Sequence, residues 1–176
     1  MRILVLNGSH RPDGYTKKMV DAFTRGAESA GHEVTYLQVG VMDIHDCTGC
    51  NYCHGEGGGK CVFRDDMDKV DAAIAENDMV VFASPIYYWG MSGAMHATIS
   101  RFYRVEWPET LKQAAMLLTS DVPGCYAPME MLFKSMCLYF PPEFAGFMEL
   151  GGAQREDEGR LAEVEAFGAS MKPLWK

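Results

Sequence analysis

Five consecutive apolar residues, Met79-Val80-Val81-Phe82-Ala83, run directly into Ser84-Pro85-Ile86-Tyr87-Tyr88-Trp89-Gly90. A strand with no polar alternation is buried on both faces, which makes this run a central strand rather than an edge. Beyond it, Met95, Ile99 and Phe102 recur at helical spacing within Met91 to Tyr103. The whole segment therefore reads as strand, turn and helix. Three adjacent aromatics in a turn opened by Ser84-Pro85 are poor material for a solvated loop. They suit a wall for a flat, partly apolar ring system. Open parallel sheets bind ligands outside the carboxyl ends of their strands, so this turn is a candidate cofactor site.

The same alternation extends along the chain. Arg2 to Asn7, Glu33 to Val39, Met79 to Ala83, Ala114 to Thr119 and a weaker Phe147 to Leu150 read as strands. Helical periodicity follows in Thr16 to Ala30, Asp66 to Glu76, Met91 to Tyr103, Met129 to Tyr139 and Arg155 to Met171. Five strand–helix units predict an α/β three-layer sandwich with a five-stranded parallel sheet. Flavodoxin-like topology, order 2-1-3-4-5, is the natural arrangement. No linker or repeat divides residues 1–176, which are expected to form one domain.

With 24 acidic against 16 basic residues the net charge is −8, and no basic patch is visible. That argues against a nucleic-acid or anionic-membrane partner. No stretch approaches a membrane span, and Ile3 to Leu6 is too short and too soon polar for a signal peptide. Six cysteines in such a chain point to a reducing compartment, with the cytoplasm as the expected location.

The loop Gly8-Ser9-His10-Arg11-Pro12-Asp13-Gly14-Tyr15-Thr16 joins the first strand to the first helix. It has neither the lysine of a Walker loop nor the glycine spacing of a dinucleotide fingerprint. It does bring the Ser9 and Thr16 hydroxyls and the Arg11 guanidinium to a helix N-terminus, where unpaired N–H groups and the dipole favour an anion. A terminal phosphate monoester fits such a cradle. An ordinary turn with Thr16 as N-cap is the structural alternative.

The first loop, with Ile3 to Leu6 before it, and the Ser84 to Gly90 turn together resemble the NAD(P)H-dependent FMN reductase family of flavodoxin-like proteins. The resemblance implies that Ser9, Arg11, Gly14, Tyr15 and Thr16 hold the FMN phosphate. It implies that Pro85, Ile86, Tyr87, Tyr88, Trp89 and Gly90 line the isoalloxazine ring. Thr119 and Ser120, after the fourth strand, are expected to reach the pyrimidine edge. His10 departs from the family pattern and reads either as a surface residue or as an extra phosphate contact. The implied activity is hydride transfer from NADPH or NADH to FMN and onward to a small acceptor such as flavin or quinone. A homodimer with the ring site at its interface is also implied. No side chain is assigned as catalytic, because the cofactor carries the chemistry.

Gly40 to Asp65 breaks the rhythm, and loops of that length inside a compact domain are usually functional. It holds Cys47-x2-Cys50-x2-Cys53-x7-Cys61. Tight spacing of this kind lets thiolates converge on one centre, and it resembles the iron–sulfur flavoprotein branch of the same family. A [4Fe-4S] cluster at these four residues, in an FMN-containing electron carrier, is the alternative function. Unmetallated loop thiols and a zinc site are the competing readings, since Cys47-Thr48-Gly49-Cys50 also suits cluster-free relatives. His45 and His54 flank the cysteines, but four thiols suffice without them. Cys137 lies on an apolar helix face and reads as a small core residue. His96 reads as solvated and His32 as a surface residue.

Overall fold

The computed structural model describes residues 1–104, 107–139 and 142–174. The main strands are β1 (Arg2–Asn7), β2 (Glu33–Leu37), β3 (Met79–Tyr87), β5 (Gln113–Ser120) and β6 (Glu143–Gly151), with a two-residue β4 (Gly90–Met91) between them. The helices are α1 (Tyr15–Ser29), α2 (Met67–Glu76), α3 (Gly93–Arg101), α4 (Ala127–Tyr139) and α5 (Glu158–Ala169). The five long strands are parallel in the order β2-β1-β3-β5-β6, the flavodoxin-like arrangement expected from the alternation. The sixth strand, β4, was not expected and pairs antiparallel with the end of β3.

Strand periodicity divides the core into two layers. Leu4 and Leu6 of β1, Val80 and Phe82 of β3, and Met116 and Leu118 of β5 face α2, α3 and α4. Their neighbours Ile3, Val5, Val81, Ala115 and Leu117 face α1 and α5. Both faces of β3 and β5 are therefore apolar, which is why these strands carry no polar alternation. On the second face α1 and α5 approach closely. A Cβ on Gly26 would lie 1.8 Å from the Glu165 carbonyl oxygen, and one on Gly168 would lie 2.2 Å from that of Phe23. Only glycine permits that approach.

Several boundaries differ from the sequence expectation, each for a local reason. β3 continues through Ser84-Pro85-Ile86 to Tyr87, so Pro85 belongs to the strand and not to the turn. Its β1 neighbour is paired only as far as Ala83, so Pro85 lies beyond that strand's end, where a missing N–H is tolerated. β6 starts at Glu143 rather than Phe147; as an edge strand it is only half buried and gives a diluted apolar signal. α5 begins at Glu158 because the Asp157 carboxylate caps the Arg160 amide; Gly152–Glu156 is a separate 3-10 turn. His32 is partly exposed, with its Nε2 2.9 Å from the Met171 carbonyl. His96 is exposed, as expected. No described helix is long and apolar enough to cross a membrane.

Candidate functional site

The carboxyl ends of β1, β3 and β5 open on one cleft lined by Ser9, Arg11, Gly14, Tyr15, Thr16, Pro85, Ile86, Tyr87, Thr119 and Ser120. These ten were all singled out from the sequence. Asp121 and Arg155 complete the lining and were not.

The first loop is held by its carbonyls and by the residues before it. The Gly8 amide donates to Ala83 O at 2.8 Å, and Gly8 O accepts from Ser92 Oγ at 2.7 Å. Gln38 Nε2 donates to Ser9 O at 3.0 Å, and the Ser9 amide donates to Asn7 Oδ1 at 2.9 Å. Ser92 also accepts from the Met95 amide and so caps α3, tying the start of that helix to the loop. α1 has no such cap. Its N-cap is Gly14, not Thr16; no side chain caps the helix, and no acid stands in its first turn. The first-turn N–H groups therefore keep their capacity for an external acceptor at the positive end of the dipole. Thr16 lies inside the helix, with its hydroxyl 2.7 Å from that of Thr119. His10 is exposed and lies outside the cleft lining.

The aromatic turn is a two-residue hairpin between β3 and β4, closed by the Tyr87–Gly90 pair. Tyr88 (φ 52°) and Trp89 (φ 63°) both occupy the left-handed region. Hairpins of this length require that conformation but usually fill it with asparagine and glycine. Tyr88 is 96% exposed and Trp89 60%. Neither lines the cleft formed with the first loop. With Ile86, Ser120, Asp121, Val122 and Cys125 they line a more open, mostly apolar hollow continuous with the cleft through their shared residues. Gly90 lines neither space among the described residues and closes the hairpin instead.

Of the residues the sequence reading missed, Arg155 sits on the 3-10 turn after β6 and stacks on the Tyr15 ring, 4.3 Å from its centroid. It pairs with Asp121 across the cleft. Tyr15 donates its hydroxyl to Glu156 Oε1 at 3.0 Å, and that bond with the carboxylate's charge raises the phenol's pKa. Position at a strand's carboxyl end was the one signal that could have pointed to Arg155.

A second small pocket gathers Cys47, Cys50, Cys53 and Cys61 with Phe63 and Arg101. All four thiols are free, and among the described residues no three Cys, His, Asp or Glu side chains converge at metal-ligating distance. The Tyr52 amide and the Thr48 hydroxyl hold the Cys50 thiol below its ordinary pKa. Arg101 is buried and doubly bonded to Asp65, at 2.6 and 3.1 Å, and its Nη1 also donates to His45 O at 2.8 Å. Its Nε is buried without a partner. His45 stacks on Phe63, and His54 Nε2 lies 3.0 Å from Tyr103 O, so neither imidazole turns toward the thiols as a ligand. Four soft thiol donors line this pocket beside the unpartnered Arg101 Nε, but as placed they do not converge on one centre.

The fold and cleft define a flavodoxin-like α/β protein in which an uncapped helix N-terminus and an aromatic turn flank one cleft. The chain belongs to the NADPH-dependent FMN reductase family, whose profile matches residues 1–139. An iron-sulfur flavoprotein of Archaeoglobus fulgidus is 37% identical over 112 residues, 64% of this chain and 50% of that protein. YwqN of Bacillus subtilis, named for an NAD(P)H-dependent FMN-containing oxidoreductase, is 33% identical over 113 residues, 64% of this chain and 55% of its own. The chain thus spans about half the length of the curated relatives it matches. The NAD(P)H:quinone oxidoreductase of Methanothermobacter marburgensis superposes with a TM-score of 0.71, 15% identity and coverage of 98% of this chain and 99% of the other, a likeness of fold.

Proposed function

We propose that this protein is an FMN-dependent oxidoreductase that takes hydride from NAD(P)H and passes electrons to a small acceptor such as flavin or quinone. The observation that carries the reading is the uncapped, acid-free N-terminus of α1 opening on the same cleft as Pro85 to Tyr87. A group with a phosphate at one end and a planar ring at the other matches those two surfaces. Ser9, Arg11 and the first-turn amides of α1 bind the phosphate; Pro85, Ile86, Tyr87, Thr119 and Ser120 orient the ring. When bound, FMN supplies the hydride and electron-transfer chemistry. The exposed aromatic hollow at Tyr88 and Trp89 receives nicotinamide or acceptor by stacking. Its exposure also supports a homodimer closing over it. The free thiols support a reducing cytoplasmic setting.

The four-cysteine pocket favours a second reading, an electron carrier with a [4Fe-4S] cluster at Cys47, Cys50, Cys53 and Cys61. Flavin and iron assays on protein purified without oxygen separate the two. The reductase reading expects bound or bindable FMN and NADH- or NADPH-dependent quinone reduction, with affinity for FMN lost on Arg11→Ala. The carrier reading expects about four irons per chain and no pyridine-nucleotide turnover. Protein that binds no FMN sinks both.

A further inference from the structure

The loop that the sequence marks as the phosphate cradle carries a single guanidinium, Arg11. A phosphate monoester carries close to two negative charges at neutral pH. The structure brings a second guanidinium to the same cleft from the far end of the chain. Arg155 is fixed by its Nε bond to Gly152 O at 2.9 Å, by its stacking on Tyr15 and by its Nη1 contact with Asp121. Tyr15 is itself anchored by Glu156, so the platform under the guanidinium is held. Nη2 makes no hydrogen bond among the described residues.

The partner now facing Arg155 is easily given up. The Asp121 side chain is 89% exposed, whereas that of Arg155 is 19% exposed. An ion pair to so solvated a carboxylate is worth little, because water competes for it. A guanidinium paired with phosphate gains two parallel charge-assisted hydrogen bonds, which a strongly hydrated carboxylate at the rim does not match.

We propose that Arg155 is the second cationic anchor of the flavin phosphate, exchanging Asp121 for phosphate oxygens when the cofactor binds. The proposal rests on the FMN reading above. It makes phosphate recognition depend on the β6–α5 turn as well as on the first loop, and it gives the Asp121–Arg155 pair a function as the resting state of the site. The competing account is a staple, in which Arg155 only fastens that turn to Tyr15.

The test compares FMN with riboflavin, which lacks the phosphate, by fluorescence titration of the whole chain. Wild-type protein prefers FMN. Arg155→Met cuts that preference at least tenfold and leaves riboflavin affinity unchanged, while Arg155→Lys keeps part of it. Asp121→Asn alters an exposed side chain only and, by removing the competitor, raises the preference for FMN. An unchanged FMN-to-riboflavin ratio in both Arg155→Met and Asp121→Asn overturns the proposal. So does an equal loss of both ligands with a lower melting temperature, the signature of a staple. A changed NADPH-to-NADH preference with an unchanged flavin ratio overturns it as well, since the phosphate read would then be that of the nicotinamide nucleotide. Wild-type protein that binds neither flavin fails the cofactor reading itself, a result seen without any variant.

Discussion

Thr16 and Thr119 join their hydroxyls across 2.7 Å, fastening the first turn of α1 to the end of β5. Both side chains are buried, at 2% and 3% exposure. The bond ties the first-loop side of the cleft to the end of β5, two segments that line the same cleft.

That pair gives the first prediction. Thr119→Val strands the Thr16 hydroxyl in an apolar setting and costs about 1–2 kcal/mol. Adding Thr16→Val removes the orphan, so the double variant recovers most of the loss. Urea denaturation of the two single variants and the double variant measures the coupling. Strictly additive losses would show that the two hydroxyls do not depend on each other.

Asp65 sets an acid limit to stability. Its burial pushes the carboxyl pKa up, but bonds from Arg101 and from the His45 and Met67 amides outweigh this and bring it down to about 2. The unfolded carboxyl titrates near ~3.9, so the folded state favours the charged form. The contribution is therefore complete above the unfolded value and is lost as pH falls from about 5 to about 2. For a side chain only 1% exposed it amounts to roughly 2 kcal/mol. Asp65→Asn lowers stability at neutral pH by about 3–5 kcal/mol, because Arg101 loses its buried partner, and flattens the acid limb. Stability profiles of wild type and variant that stay parallel from pH 7 to pH 3 would refute the assignment.

The contact between α1 and α5 predicts a sharp size limit. Gly26→Ala places a methyl within the Glu165 carbonyl, and backbone cannot step aside as a side chain can. The helices must separate, at a cost of about 1–3 kcal/mol, the range of overpacking. α5 follows the turn that bears Arg155, so the displacement also weakens FMN binding more than riboflavin binding. Paired thermal melts and flavin titrations check both halves. A variant as stable as wild type would mean that the helices pack less tightly than the structure has them.

The main lines of this fold were legible because the central strands β3 and β5 are buried on both faces and write that burial as unbroken apolar runs. The parallel sheet followed from the alternation, and its order is the one natural for five strand–helix units. β6 was blurred by its place at the edge, and β4 was invisible because two residues carry no period. In the site, the first loop and the stretch from Pro85 to Tyr87 were marked by residue type at strand ends, whereas the individual contacts, Thr119 and Ser120 among them, came from the family resemblance. Arg155 was not, because its part depends on how closely α5 lies on α1. That distance is set by Gly26 and Gly168, whose spacing in sequence says nothing of their contact. Tyr88 and Trp89 were legible as a wall for a flat ring, but their left-handed backbone was not, since no local propensity predicts aromatic residues there.

That conformation supports the last prediction. A non-glycine residue held at positive φ costs on the order of 1 kcal/mol or more and persists only where the surroundings impose it. Here the imposing element is the two-residue reversal from β3 to β4, with Tyr87 and Gly90 paired on either side. Replacing Tyr88-Trp89 with Asn-Gly, the pair this turn prefers, relieves the strain and raises stability by about 1–2 kcal/mol. It also strips the exposed aromatic surface from the hollow beside the ring site. The variant is expected to melt higher than wild type and to bind FMN through an intact phosphate cradle. Its KM for NAD(P)H or for a quinone acceptor rises several-fold, because the stacking surface is gone. A stabilised variant with unchanged KM would remove the aromatic turn from substrate recognition. A destabilised one would show that the two rings hold the hairpin together rather than strain it.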